Sequence, residues 1–123
     1  MDLDARTDAL FANFAADDAD GVAALCAPNF CIKQNNGPEI DVGTLTDGLQ
    51  AMLWDAGVKT VYSDVRRTVA DHVVTEQHVV TLTRSDGFSA SSDVCAVTRF
   101  GQNRLITRID EYFDSAAFGP LLS

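Results

Sequence analysis

No stretch of this sequence approaches the ~18 consecutive apolar residues that a membrane-spanning helix needs, so a membrane protein is not expected. The opening residues, Met1-Asp2-Leu3-Asp4-Ala5-Arg6, are acidic and helix-forming, whereas a secretory signal starts basic and continues apolar. Basic residues are scarce: 9 Lys and Arg stand against 18 Asp and Glu, a formal charge of −9. Such a surface repels phosphate backbones and anionic lipid, and Arg66-Arg67 is a pair rather than a cluster, so neither nucleic acid nor membrane is an expected partner. Cysteine is also scarce. Cys26, Cys31 and Cys95 are odd in number and form no close metal-ligand pair, which suits a reducing cytoplasm and three small buried apolar residues. No His/Cys/Asp/Glu grouping has metal spacing, and neither a glycine-rich phosphate loop nor a supported Ser-His-Asp arrangement is present. Neither metal nor cofactor is therefore expected. No linker, repeat or low-complexity segment divides the chain, which reads as one domain over residues 1–123.

What is present is a globular composition, 46% hydrophobic and 22% charged over 123 residues. Leu3, Thr7, Leu10, Phe11 and Phe14 recur at helical spacing and predict a helix ending near Ala16. Asp20 can cap a short second helix carrying Val22, Leu25 and Cys26, stopped before Pro28. Phe30 to Asn35 reads as a first strand, broken at Asn36-Gly37-Pro38. Thr44 or Thr46 can cap a third helix through Leu45, Leu49, Met52, Leu53 and Ala56, closed by Gly57. After Gly57 the period changes from 3.6 to 2. Strands are predicted over 58–70, 73–84, 88–100 and 104–113, with an Asp86-Gly87 hairpin turn and a final helical turn ending at Gly119-Pro120. Helices segregated from an antiparallel meander indicate an α+β fold, a curved sheet with three N-terminal helices on its concave face around a pocket.

Three stretches carry a resemblance to a known superfamily: Phe14 to Leu25, Gln34-Asn35 followed by Val42-Gly43, and Leu105-Ile106-Thr107-Arg108-Ile109-Asp110-Glu111-Tyr112-Phe113-Asp114. Together with the element order they resemble the nuclear transport factor 2-like superfamily, in its SnoaL-like polyketide cyclase and limonene-epoxide hydrolase branch. Ketosteroid isomerases share the layout. The resemblance implies a cone-shaped, cystatin-like fold and acid/base chemistry of cyclase, isomerase or hydrolase type in an apolar pocket. It carries the hydrolases' strand Asn onto Asn35 and their final-strand Asp onto Glu111. Their neighbouring Tyr falls on Lys33, and their Arg-x-Asp pair on Gln77-His78-Val79. The isomerases' Tyr, base Asp and oxyanion Asp fall on Leu10, Gln34 and Ala96. The usual epoxide-opening and isomerase routes are therefore not expected.

Parity places Leu105, Thr107, Ile109, Glu111 and Phe113 on one face of the last strand, and Ile106, Arg108, Asp110 and Tyr112 on the other. The resemblance turns the first set toward the pocket. Glu111 and Asn35 become the catalytic candidates, with the Glu111 pKa raised by desolvation. Glu111 paired with Lys33 without chemistry is the alternative, and a one-residue slip would make Asp110 and Tyr112 the pocket pair. Lys33, Gln34 and Gln77 are candidates to orient a substrate, with Phe14, Trp54 and Ile109 as its apolar contacts. Trp54, off the main stripe of the third helix, also fits plain partial burial, a pocket rim or a dimer contact. Gln77 is expected inward with Val79 and Thr81, and His78 outward. Cys95, Val97 and Tyr62 are expected on the convex face, apolar enough to be covered by a second copy, which predicts a homodimer. The expected ligand is a small apolar molecule. The alternative function is a non-catalytic ligand-binding or dimeric accessory domain.

Overall fold

The computed structural model describes residues 2–122. Aspartates start the N-terminal helices by accepting from orphan backbone N–H groups. Asp2 takes Ala5 N–H at 2.7 Å and opens α1 (Leu3–Ala15). Asp18 takes Gly21 N–H at 2.9 Å and opens α2 (Ala19–Ala24). Asp41 takes Thr44 N–H at 2.7 Å and opens α3 (Val42–Leu49). The caps at Asp18 and Asp41 replace those expected at Asp20 and at Thr44 or Thr46, which lie inside the helices. The predicted stripe of α1 faces the sheet, with Thr7, Leu10 and Phe11 buried and Leu3 and Phe14 partly so.

Beyond Leu49, α3 widens into a π-helical turn (Gln50–Trp54), in which Asp55 N–H donates to Gln50 O at 2.8 Å across five residues. Gly57, at φ +73°, then ends the segment as expected.

Six strands form one sheet. They are β1 (Cys26–Gln34), β2 (Glu39–Ile40), β3 (Lys59–Val69), β4 (Val73–Thr83), β5 (Ser89–Phe100) and β6 (Ile106–Phe113), in the order β2-β1-β6-β5-β4-β3. The predicted antiparallel meander β3 to β6 is present. The first strand is longer than expected and joins β6 in parallel, aligning Ile32 with Ile109 and Gln34 with Glu111. The sheet curves round the helices without closing. Leu10, Phe11, Val22, Ile32, Val74, Ala96 and Ile109 meet between its inner face and α1 to α3. A second cluster joins Leu53, Trp54, Val58 and Leu82 to Phe118 and Leu121. Those last two residues belong to a 3-10 turn (Ser115–Phe118) and to α4 (Gly119–Leu122). The chain continues as a helix through Gly119-Pro120, where a stop was expected, because proline is tolerated in a first turn.

Two irregularities reset strand parity. On β3 an extra residue between Ser63 and Arg66 is absorbed with Asp64 at φ +53°. On β6 the register with β5 shifts between Arg99 and Phe100, so Ile106, expected on the outer face, is fully buried inside together with Ile109. On β4 the inner residues are Val74, Glu76, His78, Val80 and Leu82. The outer face carries Gln77, Cys95, Val97, Arg108, Asp110 and Tyr112. Tyr62, expected there, lies inside against Phe11 and His78. The three cysteines are free and half-buried rather than buried, and burial pushes the Cys26 thiol up to about 11. Among the described residues no helix is long and apolar enough to cross a membrane.

Candidate functional site

The inner faces of β3, β4 and β6 converge under α1 and the π-helical turn. A cavity of about 110 Å³ opens there, with Phe14, Leu53, Trp54, Val80 and Phe113 among its apolar walls and Tyr62, His78 and Glu111 as its ionisable groups. A second chamber of about 80 Å³, lined by Ile32, Gln34 and Ile109, shares Phe14, Leu49, Tyr62 and Glu111 with the first.

Glu111 reaches this interior because β6 holds Ile109 and Glu111 on one face. Desolvation raises its pKa above the ordinary carboxylate range; the hydrogen bond from Gln34 Nε2 at 3.0 Å and attraction from His78 oppose that rise. Parallel pairing of β1 with β6 sets Gln34 opposite Glu111 and makes that bond possible. Asp110 faces outward, bound by Arg108 Nε at 2.9 Å and Nη2 at 3.0 Å, and this pairing holds it below its ordinary value. Glu111 is thus the inward acid, and the ion pair expected as its alternative with Lys33 does not form.

Deeper in the wall lies a chain of charges. His78 and Glu76, each 1% exposed, are joined through His78 Nδ1 and Glu76 Oε2. Glu76 Oε1 accepts from Arg67 Nε, and Arg67 Nη1 reaches Asp4 at 2.9 Å and Asp8 at 2.7 Å on α1. The Glu76 carboxylate engages Nδ1, which leaves Nε2 as the ring nitrogen turned away from that pair. His78 Nε2 is buried and has no hydrogen-bond partner among the described residues. Phe11 and Tyr62 stand edge-on to the ring, each at 4.9 Å between centroids. Burial, followed by the charges of Glu111 and Glu76, pushes the Tyr62 phenol far above its ordinary value, so it stays a proton donor. The site therefore combines an acid of raised pKa, an imidazole with a free nitrogen, and a phenol O–H in apolar surroundings. Among the described residues no group of three His, Cys, Asp or Glu side chains could hold a metal ion.

A family model described as SnoaL-like domain matches residues 7–109. The chain belongs to the SnoaL-like family. Among solved structures, a candidate polyketide cyclase of Xanthomonas campestris pv. campestris superimposes with a TM-score of 0.81 at 20% identity, over 98% of this chain and 96% of its own. Another from Pseudomonas putida KT2440 gives 0.81 at 13% identity, over 100% and 99%. An LEH-like epoxide hydrolase of M. tuberculosis gives 0.74 at 18%, over 95% and 86%. At these identities the likeness carries the nuclear transport factor 2-like fold alone. No curated protein matches the sequence.

Within this SnoaL-like chain the expected site residues separate. Glu111, Gln34, Ile109, Phe14 and Trp54 line the two chambers. Asn35 does not. It sits exposed at φ +52° where β1 ends, and its Oδ1 accepts from Phe113 N–H at 2.8 Å, so it clamps two strand ends. Lys33 lies beside Asp110 on the outer face, one residue out of phase with Gln34 and Glu111. Gln77 is also outward and exposed, between Arg66 and Cys95, because His78 takes the inner position. His78, Glu76, Arg67 and Tyr62 were not anticipated. Their signal was available: a Glu and a His two apart on one strand must share a face.

Proposed function

We propose that this SnoaL-like chain is an acid–base catalyst acting on a small, uncharged, largely apolar molecule, with Glu111 and His78 moving the proton. The supporting observation is that both groups line one apolar cavity while Glu76 fixes the opposite nitrogen of His78. Two titratable groups in different environments can divide acid and base roles between them.

The simplest reaction of this kind is enolisation. His78 Nε2 takes a proton from carbon beside a carbonyl. The C–H electron pair moves into the new C=C bond, and the carbonyl pair moves onto oxygen. Protonated Glu111 delivers a proton to that oxygen, and Tyr62 O–H can hydrogen-bond to the same atom. Return of a proton at the same or another carbon completes exchange or isomerisation with atoms and charge balanced.

The test is hydrogen–deuterium exchange of a panel of small ketones in D2O, read by mass spectrometry. The expected result is enzyme-dependent exchange that falls at least tenfold in both Glu111→Gln and His78→Phe. Equal exchange in all three proteins would sink the assignment. Binding without exchange in the wild type would favour a non-catalytic carrier of small apolar ligands.

A further inference from the structure

The two inner chambers, about 110 and 80 Å³, are small beside the ~300–1,000 Å³ of ordinary small-molecule sites. A chamber of that order is ring-sized: an apolar cavity of ~150 Å³ accepts benzene. A third cavity of about 340 Å³ adjoins them beneath α3, the π-helical turn and α4. It shares Leu49, Leu53, Leu82 and Phe113 with the first chamber, and Gln34, Leu45 and Leu49 with the second. Among the described residues Leu49 alone lines all three. It stands at the last residue of α3, where the helix widens.

We propose that this third cavity is an apolar vestibule of the same site, with Leu49 as the partition. The chain then takes an elongated, uncharged, amphipathic molecule whose polar ring-sized head meets His78 and Glu111 and whose unbranched apolar tail lies under α3 and α4. The proposal rests on the acid–base reading above for the place of the head.

Several observations converge on it. Vestibule walls such as Ile40, Leu49, Phe113 and Phe118 are apolar. At its mouth Met52 and Leu122 remain 57% and 44% exposed, apolar side chains that a tail would remove from water. Gly48 also borders it, and a Cβ there would meet no atom within 4 Å. A glycine inside a helix lowers helix stability relative to alanine, and here its consequence is open space beside the cavity. Charge argues for a neutral head. Among the described residues no Lys or Arg lines any of the three cavities, and the Arg67 guanidinium is engaged by Glu76, Asp4 and Asp8.

Trp54, the single tryptophan, lines the first chamber and supplies the readout. Titration with 4-alkylphenols from methyl to hexyl should quench its fluorescence, with affinity rising about fourfold for each methylene that enters the vestibule. Gly48→Leu should stop that rise at a shorter chain. Its folding is checked by circular dichroism, where leucine favours the helix over glycine. Affinity independent of chain length, no quenching by any phenol, or an identical rise in Gly48→Leu overturns the vestibule. Length-independent binding alongside ketone exchange that depends on His78 and Glu111 defeats the vestibule alone. Length-dependent binding without that exchange defeats the acid–base reading alone.

Discussion

Arg67→Met would leave the Glu76 carboxylate buried without its counter-charge, and the structure gives the weight of each bond lost. The Glu76 side chain is 2% exposed and that of Arg67 11%, whereas Asp4 and Asp8 are 58% and 68% exposed. Burial works against the guanidinium's charge, and the hydrogen bonds it donates to Asp4, Glu76 and Asp8 outweigh that and raise its pKa. The three pairs are not equivalent. Solvent-exposed ion pairs contribute ~0–1 kcal/mol each. Deleting one partner of a buried pair costs ~3–5 kcal/mol, most of it from the charge left behind.

The expected loss for Arg67→Met is therefore about 3–5 kcal/mol, a large share of the ~5–15 kcal/mol that holds a typical domain together. Asp4→Ala and Asp8→Ala should each cost below about 1 kcal/mol. Arg67→Met combined with Glu76→Gln should recover at least half of the loss, because the amide needs no counter-charge and its oxygen still accepts from His78 Nδ1. Urea unfolding followed by Trp54 fluorescence measures all four variants, provided the m-value is unchanged. A cost below about 1 kcal/mol for Arg67→Met would refute the reasoning. So would an Asp8→Ala loss of the same size as the Arg67→Met loss.

Glu111→Gln tests the raised pKa through stability. The folded chain keeps the Glu111 proton over a range above the ordinary value of 4.5 in which the unfolded chain has released it, so stability falls as pH rises through that range. Glu111→Gln should flatten that fall in chemical denaturation across pH 4 to 8, and an unchanged slope would contradict the burial argument. Asn35→Ala removes the acceptor of Phe113 N–H and places a Cβ-bearing, non-Asn residue at φ +52°. We expect a loss of ~1–3 kcal/mol with little change in ketone exchange; a collapse of exchange in a stable variant would return Asn35 to the chemistry. The outer face carries Tyr112, 43% exposed, beside Cys95, and, two strands from Cys95 on β3, Val61, 57% exposed. Light scattering should give a dimer that Tyr112→Asp weakens, and a monomer at tens of micromolar would remove that expectation.

The parts of the fold that the sequence made legible are those with one clear period. The stripe Leu10, Phe11, Phe14 pointed to the correct face, and the alternation put Ile109, Glu111 and Phe113 on one face, which the family resemblance turned inward. Errors fell where the pattern was silent. On β4, Val73-Val74-Thr75 and Val79-Val80-Thr81 are β-branched on both faces, so periodicity did not choose between Gln77 and His78. Grouping Gln77 with Val79 and Thr81 as the inward set then chose wrongly. On β3, the extra residue at Asp64 resets the alternation, which hid the inward turn of Tyr62. Trp54 lies off an ideal helical stripe because the π-helical turn rotates it inward. The parallel pairing of β1 with β6 joins segments more than seventy residues apart, and no local pattern reports it.

The charge chain explains why the misread residues belong together. A strand built only for stability would place valine or isoleucine at positions 76 and 78, as it does at 74. Instead the wall holds a carboxylate and an imidazole, satisfied on one side by Arg67 and open on the other at His78 Nε2. A buried charge held in this way contributes little net stability compared with packed hydrocarbon. Its consequence is orientation: Glu76 fixes the His78 ring, Arg67 fixes Glu76, and Asp4 and Asp8 tie both to the helix whose Phe11 and Phe14 cover the interior. Departure from local structural preference is expected where a fold carries chemistry. Here the buried carboxylate and imidazole stand on the inner face of β4, two strands from Glu111 on the same sheet.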